Sequence, residues 1–348
     1  MKKKLNILLT CVGGHFNYDL FLALSSIKKI KLNIYGTDIN KNARAKFLKN
    51  FFIVPETKKK KEYLKKILSI CSKKNINIIL PGSEAETILF SENKKLFFKK
   101  NIKIPVSDFQ IISRIVDKSA MLNYLEKKNI NIGKWSILNS NKEMNNIAKI
   151  MGYPKKKIVL KPSIGSGSRG VIILDSKIKK FKYLLTNRFC GTGNISCVIK
   201  EIKKFKINLK KYICMPHYSG DVYDLDCFAI NGKPITVIPR LRVYENPLSP
   251  TNQGCIIKKN LKVINYTKKI IRALNLNGPC DFDIVLDRDR KPKLLDSSNR
   301  MSGSVGASFV GDLNLPEQIV RHLSGLRLNK IKINKEKHMF PVNKFIKL

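Results

Sequence analysis

Short apolar runs alternate with longer amphipathic stretches along the first third of the chain. Residues 5–12, 32–38 and 77–80 have the pattern of buried strands, whereas residues 62–73 show the apolar spacing of a surface helix. Strands that alternate with helices in this way favour a parallel sheet covered by helices. The pattern therefore predicts a parallel α/β domain over residues 1–112.

A second pattern of alternation occurs much further along the chain. Residues 278–286 predict a strand, residues 287–292 a turn, and residues 293–296 a second strand. In such a hairpin Asp283 and Asp296 can lie side by side on one face, close enough to share a divalent cation. Hard carboxylate oxygens suit Mg²⁺. Acidic residues at strand ends also commonly cap turns, so a structural role stays open.

A third pattern is a loop rich in glycine and serine that follows an apolar run ending at Lys161. Its glycines allow close approach of the backbone to an anion, and its serines add hydroxyl donors. The residues that predict a phosphate-binding loop are Gly165, Ser166, Gly167, Ser168 and Gly170. Because the lysine precedes the glycines, the loop is not a P-loop. A hairpin turn beside a solvated lysine is the alternative interpretation.

Together these residues resemble the ATP-grasp superfamily, particularly its carboxylate-amine ligases and its carbamoyl-phosphate-synthase-like and biotin-carboxylase-like members. The resemblance covers nearly the whole chain. It implies an α/β and α+β fold, with an N-terminal parallel α/β domain at residues 1–112 and a two-lobed ATP-grasp domain at residues 113–330. A lid subdomain is expected at about residues 151–211, with a loop at residues 189–196, and residues 331–348 form a basic tail.

The resemblance also assigns nucleotide-binding residues. Lys118, at the start of a helix predicted over residues 119–128, and Lys161 correspond to the two nucleotide-contacting lysines. The expected contacts to adenine come from a hinge strand that contains Met215, His217, Tyr218 and Ser219. Pro216 stands where many members have a glutamate.

The expected metal ligands are Asp283, Asp296 and Ser298, and all three depart from the residues usual in the family. Both aspartates stand where glutamates are usual, and Ser298 stands where an asparagine is expected, with Asn299 one position away. Aspartates can still bind Mg²⁺. The substitutions leave reduced activity, altered metal spacing and a binding-only protein open.

Three arginines are candidates for the reaction centre. Arg240 and Arg242 lie two positions apart on a predicted strand, so both can point into one cleft. Forked guanidinium groups suit a carboxylate or an acyl phosphate, which is what the resemblance implies here. Arg300, just beyond the second aspartate, would face the transferring phosphoryl group. Exposed strand arginines are the alternative for the first two.

The formal net charge of +43 raises nucleic acid or an anionic membrane as a partner. However, the lysines are spread along the chain and aromatic residues are not interleaved with them, which argues against nucleic acid. No apolar stretch reaches the roughly 20 residues that span a bilayer. Eight cysteines without a CxxC pair indicate reduced thiols, and four scattered histidines argue against zinc. These features predict a cytoplasmic protein.

The sequence thus predicts a ligase that uses ATP and Mg²⁺, with Mn²⁺ as an alternative cation. Small-molecule carboxylate and amine substrates are the expected partners, and a homodimer stays open. Two alternatives remain: a bicarbonate-activating enzyme like the carboxylases and carbamoyl-phosphate synthases, and a non-catalytic nucleotide- or nucleic-acid-binding protein.

Overall fold

The computed structural model describes residues 3–14, 17–43, 48, 50–165, 169–184, 189–243 and 254–342. The N-terminal residues form a parallel sheet in which the first strand lies centrally, confirming the predicted parallel α/β arrangement. Its strands are β1 (Lys3–Thr10), β2 (Ile30–Asp38), β3 (Phe51–Ile53) and β4 (Ile78–Leu80), in the order β3-β2-β1-β4. The accompanying helices are α1 (Asn17–Ser25), α2 (Lys60–Lys73), α3 (Glu84–Glu92) and α4 (Lys94–Phe98).

Helix α3 begins with a capping box that also ties it to β1. Ser83 Oγ accepts a hydrogen bond from the Glu86 backbone, and the Glu86 carboxylate accepts one from the Ser83 backbone. The buried Glu86 side chain also accepts hydrogen bonds from Thr10 Oγ1 at 2.8 Å and from the Tyr63 hydroxyl at 2.6 Å. The β4–α3 loop is therefore held beside the end of β1.

Two helices, α5 (Phe109–Val116) and α6 (Lys118–Lys127), lead into a second sheet. Its strands are β5 (Ser136–Leu138), β6 (Ile158–Pro162), β7 (Ile172–Leu174), β8 (Lys182–Tyr183), β9 (Gly191–Gly193) and β10 (Tyr212–Pro216). They follow the order β5-β10-β6-β7-β9-β8, with α7 (Met144–Ile150) and α8 (Ile195–Lys204) as the associated helices.

The loop expected at residues 189–196 is wrong, because β9 and the start of α8 occupy that stretch. Gly191 in this stretch allows close packing, because a Cβ there would lie 2.4 Å from the Phe181 ring. Asn194 then caps α8 by accepting a hydrogen bond from the Cys197 backbone at 2.9 Å.

The third sheet is antiparallel and contains the predicted hairpin. Its strands are β11 (Val222–Ile230), β12 (Lys233–Arg242), β13 (Cys255–Ile257), β14 (Gly278–Leu286), β15 (Pro292–Ser298) and β16 (Lys337–Met339), in the order β15-β14-β11-β12-β13-β16. Its helices are α9 (Leu261–Leu274), α10 (Gly306–Val310) and α11 (Leu315–Leu323). The sequence pattern did not predict β16, which pairs with β13. No described helix has both the length and the apolar character needed to cross a bilayer.

The two faces of this sheet differ sharply in polarity. Apolar side chains of β11 and β14 belong to the same core cluster as those of α9: Tyr223, Leu225, Cys227, Cys280, Phe282 and Ile284. The intervening residues are Asp224, Asp226, Asp281 and Asp283, which point to the opposite face because strand side chains alternate. The two-residue period thus collects four carboxylates on one side of the sheet.

A small hydrogen-bond cluster joins the N-terminal part of the chain to this sheet. Asn299 Oδ1 accepts from the Ser107 backbone at 2.8 Å, and Asn299 Nδ2 donates to the Pro279 carbonyl at 2.7 Å. Ser107 Oγ accepts from the Asn277 backbone at 2.8 Å. At the same junction, a Cβ on Gly278 would lie 2.1 Å from the carbonyl oxygen of Pro105.

We expect Gly278→Ala to destabilise the protein more than Gly325→Ala. Both glycines have positive φ, 91° and 72°, so each alanine carries a backbone strain of about 1–2 kcal/mol. Only at Gly278 would the added Cβ also clash with neighbouring backbone, and this overpacking costs about 1–3 kcal/mol more. No atom lies within 4 Å of a Cβ on Gly325. Chemical denaturation measures both free energies of unfolding, and equal losses would contradict the close packing at this junction.

Candidate functional site

The hairpin of β14 and β15 places two carboxylates beside each other. Asp283 lies directly opposite Asp296, and the register shifts immediately after Asp283. The Asp283 side chain is 31% exposed and that of Asp296 is 40% exposed, and both line one cleft. The cleft therefore contains two carboxylate groups at one position.

Ser298, the third predicted ligand, lies on the same face of β15, opposite Asp281. Within the described residues, Ser298 Oγ and Asp281 Oδ1 are buried and make no hydrogen bond. The neighbouring Asn299 is already bonded to the backbone of Ser107. Of these two neighbours, Ser298 is the one with a side-chain oxygen that has no hydrogen-bond partner.

The described ranges contain no cluster of three or more histidine, cysteine, aspartate or glutamate side chains that could hold a metal ion. A cation between Asp283 and Asp296 would therefore need further oxygen ligands from phosphate, water or a hydroxyl group. Mg²⁺ is commonly bound in this way, by one or two carboxylates together with substrate phosphates. The residues present fit Mg²⁺ in that mode, and their role as ligands stays a prediction.

Arg242 balances part of the negative charge in the cleft. Its Nη2 lies 2.9 Å from Asp283 Oδ2, and its Nε donates to Asp224 Oδ1 at 3.0 Å. The pKa of Asp283 is raised to about 7, chiefly by burial, with Asp224 and Asp296 adding to the rise and Arg242 opposing it. The guanidinium of Arg242 thus fixes the position of Asp283 and stabilises its charged form.

Arg240 does not reach the same cleft as Arg242. Its side chain is 2% exposed, and it donates to Asp226 Oδ1 at 3.0 Å and to Ser304 Oγ at 2.8 Å. It lines a second cavity near Ser304 instead. The expectation that both arginines point into one cleft is therefore not met, because Asp226 and Ser304 hold the Arg240 guanidinium elsewhere.

Two lysines approach the carboxylate pair from α6 and β6. Lys118 Nζ lies 3.4 Å from Asp296 Oδ1 and donates to the Gly165 carbonyl at 2.6 Å. Lys161 Nζ donates to the Leu295 carbonyl. Burial lowers the pKa of Lys161 to about 8, nearby Lys118 lowers it too, and Asp296 opposes the shift. The structure therefore brings both predicted lysines to the predicted aspartates.

The glycine-rich loop begins and ends with glycines of positive φ, 148° at Gly165 and 76° at Gly170. A Cβ on Gly170 would lie 2.7 Å from the Tyr212 hydroxyl, so the turn requires glycine there. Gly165 and Arg169 line the cleft. Arg169 was not predicted, although its place inside the loop was a usable signal. The predicted residues Ser166, Gly167 and Ser168 lie outside the described residues.

Beyond the lysines the cleft continues as a slot with apolar walls, formed by Val159, Val171, Ile173, Met215, Val222 and Leu295. Three hinge residues border the same cleft: Pro216, His217 and Tyr218. The His217 backbone N–H already donates to the Lys157 carbonyl at 2.9 Å, so a ring in the slot would bind other hinge groups. Ser219 is exposed and does not border the cleft.

Arg300 lies where the hairpin meets the N-terminal sheet. Its Nη1 donates to the Met301 carbonyl at 2.7 Å. Burial raises the pKa of Cys11 to about 11 and raises that of Glu84, and the charge of Arg300 opposes both shifts. Cys11 and Glu84 were not predicted as site residues. Both follow strands of the parallel sheet, and the carboxyl ends of such strands commonly meet at a binding crevice.

Two family models match separate parts of the chain. Residues 7–105 match the model described as "PylC-like, N-terminal domain". Residues 208–347 match the model described as "ATP-grasp in the biosynthetic pathway with Ter operon". No curated protein matches the chain.

Solved structures with a similar fold cover nearly the whole chain at low sequence identity. N5-carboxyaminoimidazole synthetase from Staphylococcus aureus complexed with ADP is 15% identical, with a TM-score of 0.70, covering 98% of this chain and 83% of its own. Biotin carboxylase from Campylobacter jejuni is 15% identical, with a TM-score of 0.67 and coverages of 95% and 74%. L-amino acid ligase from Bacillus licheniformis is 11% identical, with a TM-score of 0.64 and coverages of 93% and 75%.

The lowered pKa of Lys161 generates a prediction about stability. Above pH 8 the folded protein has lost this proton, whereas an unfolded lysine keeps it until about pH 10.4. Between these values the unfolded state binds more protons, so the Lys161 contribution to the free energy of unfolding rises with pH.

From pH 7.5 to pH 9.5, the free energy of unfolding of the wild type should therefore rise by up to about 2 kcal/mol relative to that of Lys161→Met, which lacks this titrating group. Chemical denaturation at the two pH values measures the change. Lys211→Met, at an exposed position, is the control. A difference between wild type and Lys161→Met that does not change with pH would contradict the lowered pKa.

Proposed function

Because the chain belongs to the ATP-grasp superfamily, we propose that it is an ATP- and Mg²⁺-dependent ligase. It would activate a carboxylate as an acyl phosphate and join it to an amine. The observation that carries the proposal is the convergence of Lys118, Lys161, Asp283 and Asp296 on one cleft. Cations and paired carboxylates beside an apolar slot suit a nucleoside triphosphate and its metal.

The apolar slot would hold the adenine ring against the hinge residues Met215, His217 and Tyr218. Lys118, Lys161, Gly165 and Arg169 would bind the phosphates, because they line the same cleft. Charge-assisted contacts from lysine and arginine to phosphate are among the stronger hydrogen bonds in proteins. This assignment extends to the predicted loop residues Ser166, Gly167 and Ser168.

Asp283 and Asp296, with the Ser298 hydroxyl beside them, would hold Mg²⁺. When bound, the cation neutralises phosphate charge and orients the phosphates for transfer. Arg242 keeps Asp283 in position through the 2.9 Å ion pair. In this proposal Arg242 is a positioning residue, whereas Arg300 is the guanidinium that faces the transferring group.

The reaction would proceed in two balanced steps. A carboxylate oxygen of the first substrate attacks the γ-phosphorus of ATP, forming the acyl phosphate and releasing ADP. The neutral amine then attacks the acyl carbon, phosphate leaves, and the amine proton passes to solvent or base. Lysines, loop amides and Arg300 would accelerate the first step mainly by positioning and charge stabilisation.

The domain boundaries fit the same proposal. Residues 1–112 would bind substrate together with the ATP-grasp domain at residues 113–330. The lid subdomain at about residues 151–211 would cover the nucleotide, since it carries Lys161 and the glycine-rich loop. Lid closure over phosphates excludes water from an intermediate that water would hydrolyse.

Bicarbonate activation is the second candidate. Similar folds occur in a biotin carboxylase and in a 2-oxoglutarate carboxylase domain solved with ADP and bicarbonate. Bicarbonate would take the place of the organic carboxylate in the first step, with the same nucleotide site. The two candidates therefore differ only in the acid that makes ATP turnover possible.

We expect purified protein with Mg²⁺ and ATP to release ADP only when a suitable carboxylate is present. Pools of organic acids, amines and bicarbonate are assayed separately, and hydroxylamine traps any acyl phosphate as a hydroxamate. Bicarbonate-dependent ADP release without an organic acid would favour the second candidate. If none of the pools supports ADP release and the protein binds nucleic acid in a salt-sensitive manner, both candidate functions are contradicted.

Asp296→Asn should lose the thermal stabilisation that MgATP gives the parent protein, yet stay folded without nucleotide. Asp296 is 40% exposed, and its nearest ion pair, to Lys118, is 3.4 Å long, so its removal has little structural cost. For the parent, MgATP at 100 times its dissociation constant adds about 2.7 kcal/mol. Thermal unfolding with and without MgATP measures the difference.

Asp312→Asn is the matched control, because this acid is exposed and pairs with Lys337 outside the cleft. It should keep the full MgATP stabilisation. If Asp296→Asn keeps it as well, the hairpin carboxylate does not hold the nucleotide's metal.

A further inference from the structure

A second cavity lies beside the buried guanidinium of Arg240. Asp19 of α1 forms one wall, and Ser304 and Gly306, just beyond Arg300, form another. The start of β13 and the segment around β16 complete the lining. This cavity, here named the Asp19 pocket, therefore brings the N-terminal part of the chain against the loop that continues from Arg300.

The carboxylate of Asp19 is the distinctive group in this pocket. Asp19 is half-buried, and the described residues provide it with no hydrogen bond and no ion pair. Asp226, by contrast, is paired with Arg240. Among the residues that line this cavity, Asp19 is the acid, and no described cation forms an ion pair with it. A sheltered, unpaired carboxylate favours a cation from solution.

The backbone beneath Asp19 is shaped around this carboxylate. A Cβ on Gly306 would lie 2.3 Å from Asp19 Cβ and 2.9 Å from Asp19 Oδ2. Gly306 is not at a positive φ, so its backbone conformation does not require glycine. Glycine is needed at this position because a side chain would occupy the space of the Asp19 carboxylate.

The remaining walls define the rest of the ligand. Val310, Met339 and Phe340 supply apolar surface. The positive charge of Arg240 is already balanced by Asp226 at 3.0 Å, so Arg240 does not make the pocket attractive to anions. His338 also lines the cavity, but within the described residues Asp19 forms no ion pair with it or with Arg240.

We propose that the Asp19 pocket binds the cationic group of the second substrate, an ammonium or amidinium attached to an apolar body. The identification as the second substrate rests on the proposed ligase function, whereas cation binding itself does not. Ser304, which lines the pocket, lies four residues beyond Arg300 along the chain, and this is its link to the proposed reaction centre. Because ion pairing favours the protonated form, Asp19 would hold the substrate in place and would not activate its nucleophile.

Equilibrium binding to the full chain without nucleotide tests this site with three probes of similar size: n-hexylamine, 1-hexanol and hexanoate. Wild type should prefer n-hexylamine at pH 7.5 and low salt, and hexanoate should not bind. Asp19→Asn should weaken n-hexylamine at least tenfold without changing 1-hexanol, since a lost charge-assisted contact accounts for that factor. Calorimetry or ligand-observed NMR measures each affinity.

Gly306→Ala provides an independent variant, because it displaces the carboxylate without removing its charge. It should weaken n-hexylamine in the same direction as Asp19→Asn. Asp289→Asn, an exposed turn acid, is the matched control and should leave all affinities unchanged. Thermal unfolding verifies that each variant is folded, and Asp19→Asn should keep or raise the melting temperature because Asp19 has no partner to lose.

Unchanged n-hexylamine binding in Asp19→Asn, or a wild-type preference for hexanoate, would overturn the proposal. MgATP binding and carboxylate-dependent ADP release are measured on the same variants. If cation binding depends on Asp19 but no carboxylate supports ADP release, the pocket stands and the ligase proposal fails. If carboxylate-dependent ADP release occurs but cation binding does not depend on Asp19, the ligase proposal stands and the proposal for the pocket fails.

Discussion

The ion pairs that the arginines of β12 make with aspartates of β11 and β14 are the constraint on which the site depends. Asp226 pairs with Arg240 at 3.0 Å, and Arg242 joins Asp224 to Asp283. Removing one partner of a buried pair typically costs about 3–5 kcal/mol, because the other charge is left without compensation. The arginines are therefore fixed by the acids, and the position of Asp283 follows from that of Arg242.

This charge compensation also separates the two cavities. Arg242 lines the cleft that holds both hairpin aspartates, whereas Arg240 lines the Asp19 pocket. A single strand, β12, thus contributes one guanidinium to each cavity. Since both guanidinium groups already bind acids of the chain, they set the shape and charge of the cavities more than they offer unpaired cations. The two lysines across the cleft donate to backbone carbonyls, and Lys118 also lies 3.4 Å from Asp296.

The cleft is lined by residues of the second and third sheets together with Lys118 of α6. Asn299 ties the end of β15 to Ser107, which follows the N-terminal sheet. The next residue, Arg300, is an electrostatic neighbour of Cys11 and Glu84, which follow strands β1 and β4. From the facing side, Lys161 of β6 reaches the Leu295 carbonyl of β15. Side-chain hydrogen bonds at these junctions therefore align groups that are far apart in sequence.

The sequence by itself determined the parallel N-terminal sheet, the hairpin of Asp283 and Asp296, and the two lysines near it. The sheet and the hairpin follow from local periodicity, Lys161 from its place before the glycine-rich loop, and Lys118 from the resemblance to the ATP-grasp superfamily. Tertiary structure decided where each guanidinium points, because Arg240 and Arg242 share a strand face but meet different acids on other elements. It also decided the surroundings of Cys11, Glu84 and Asp19, which have no local pattern. Their surroundings come from distant segments, and no spacing along the chain encodes which carboxylate is left without a counter-charge after those segments pack.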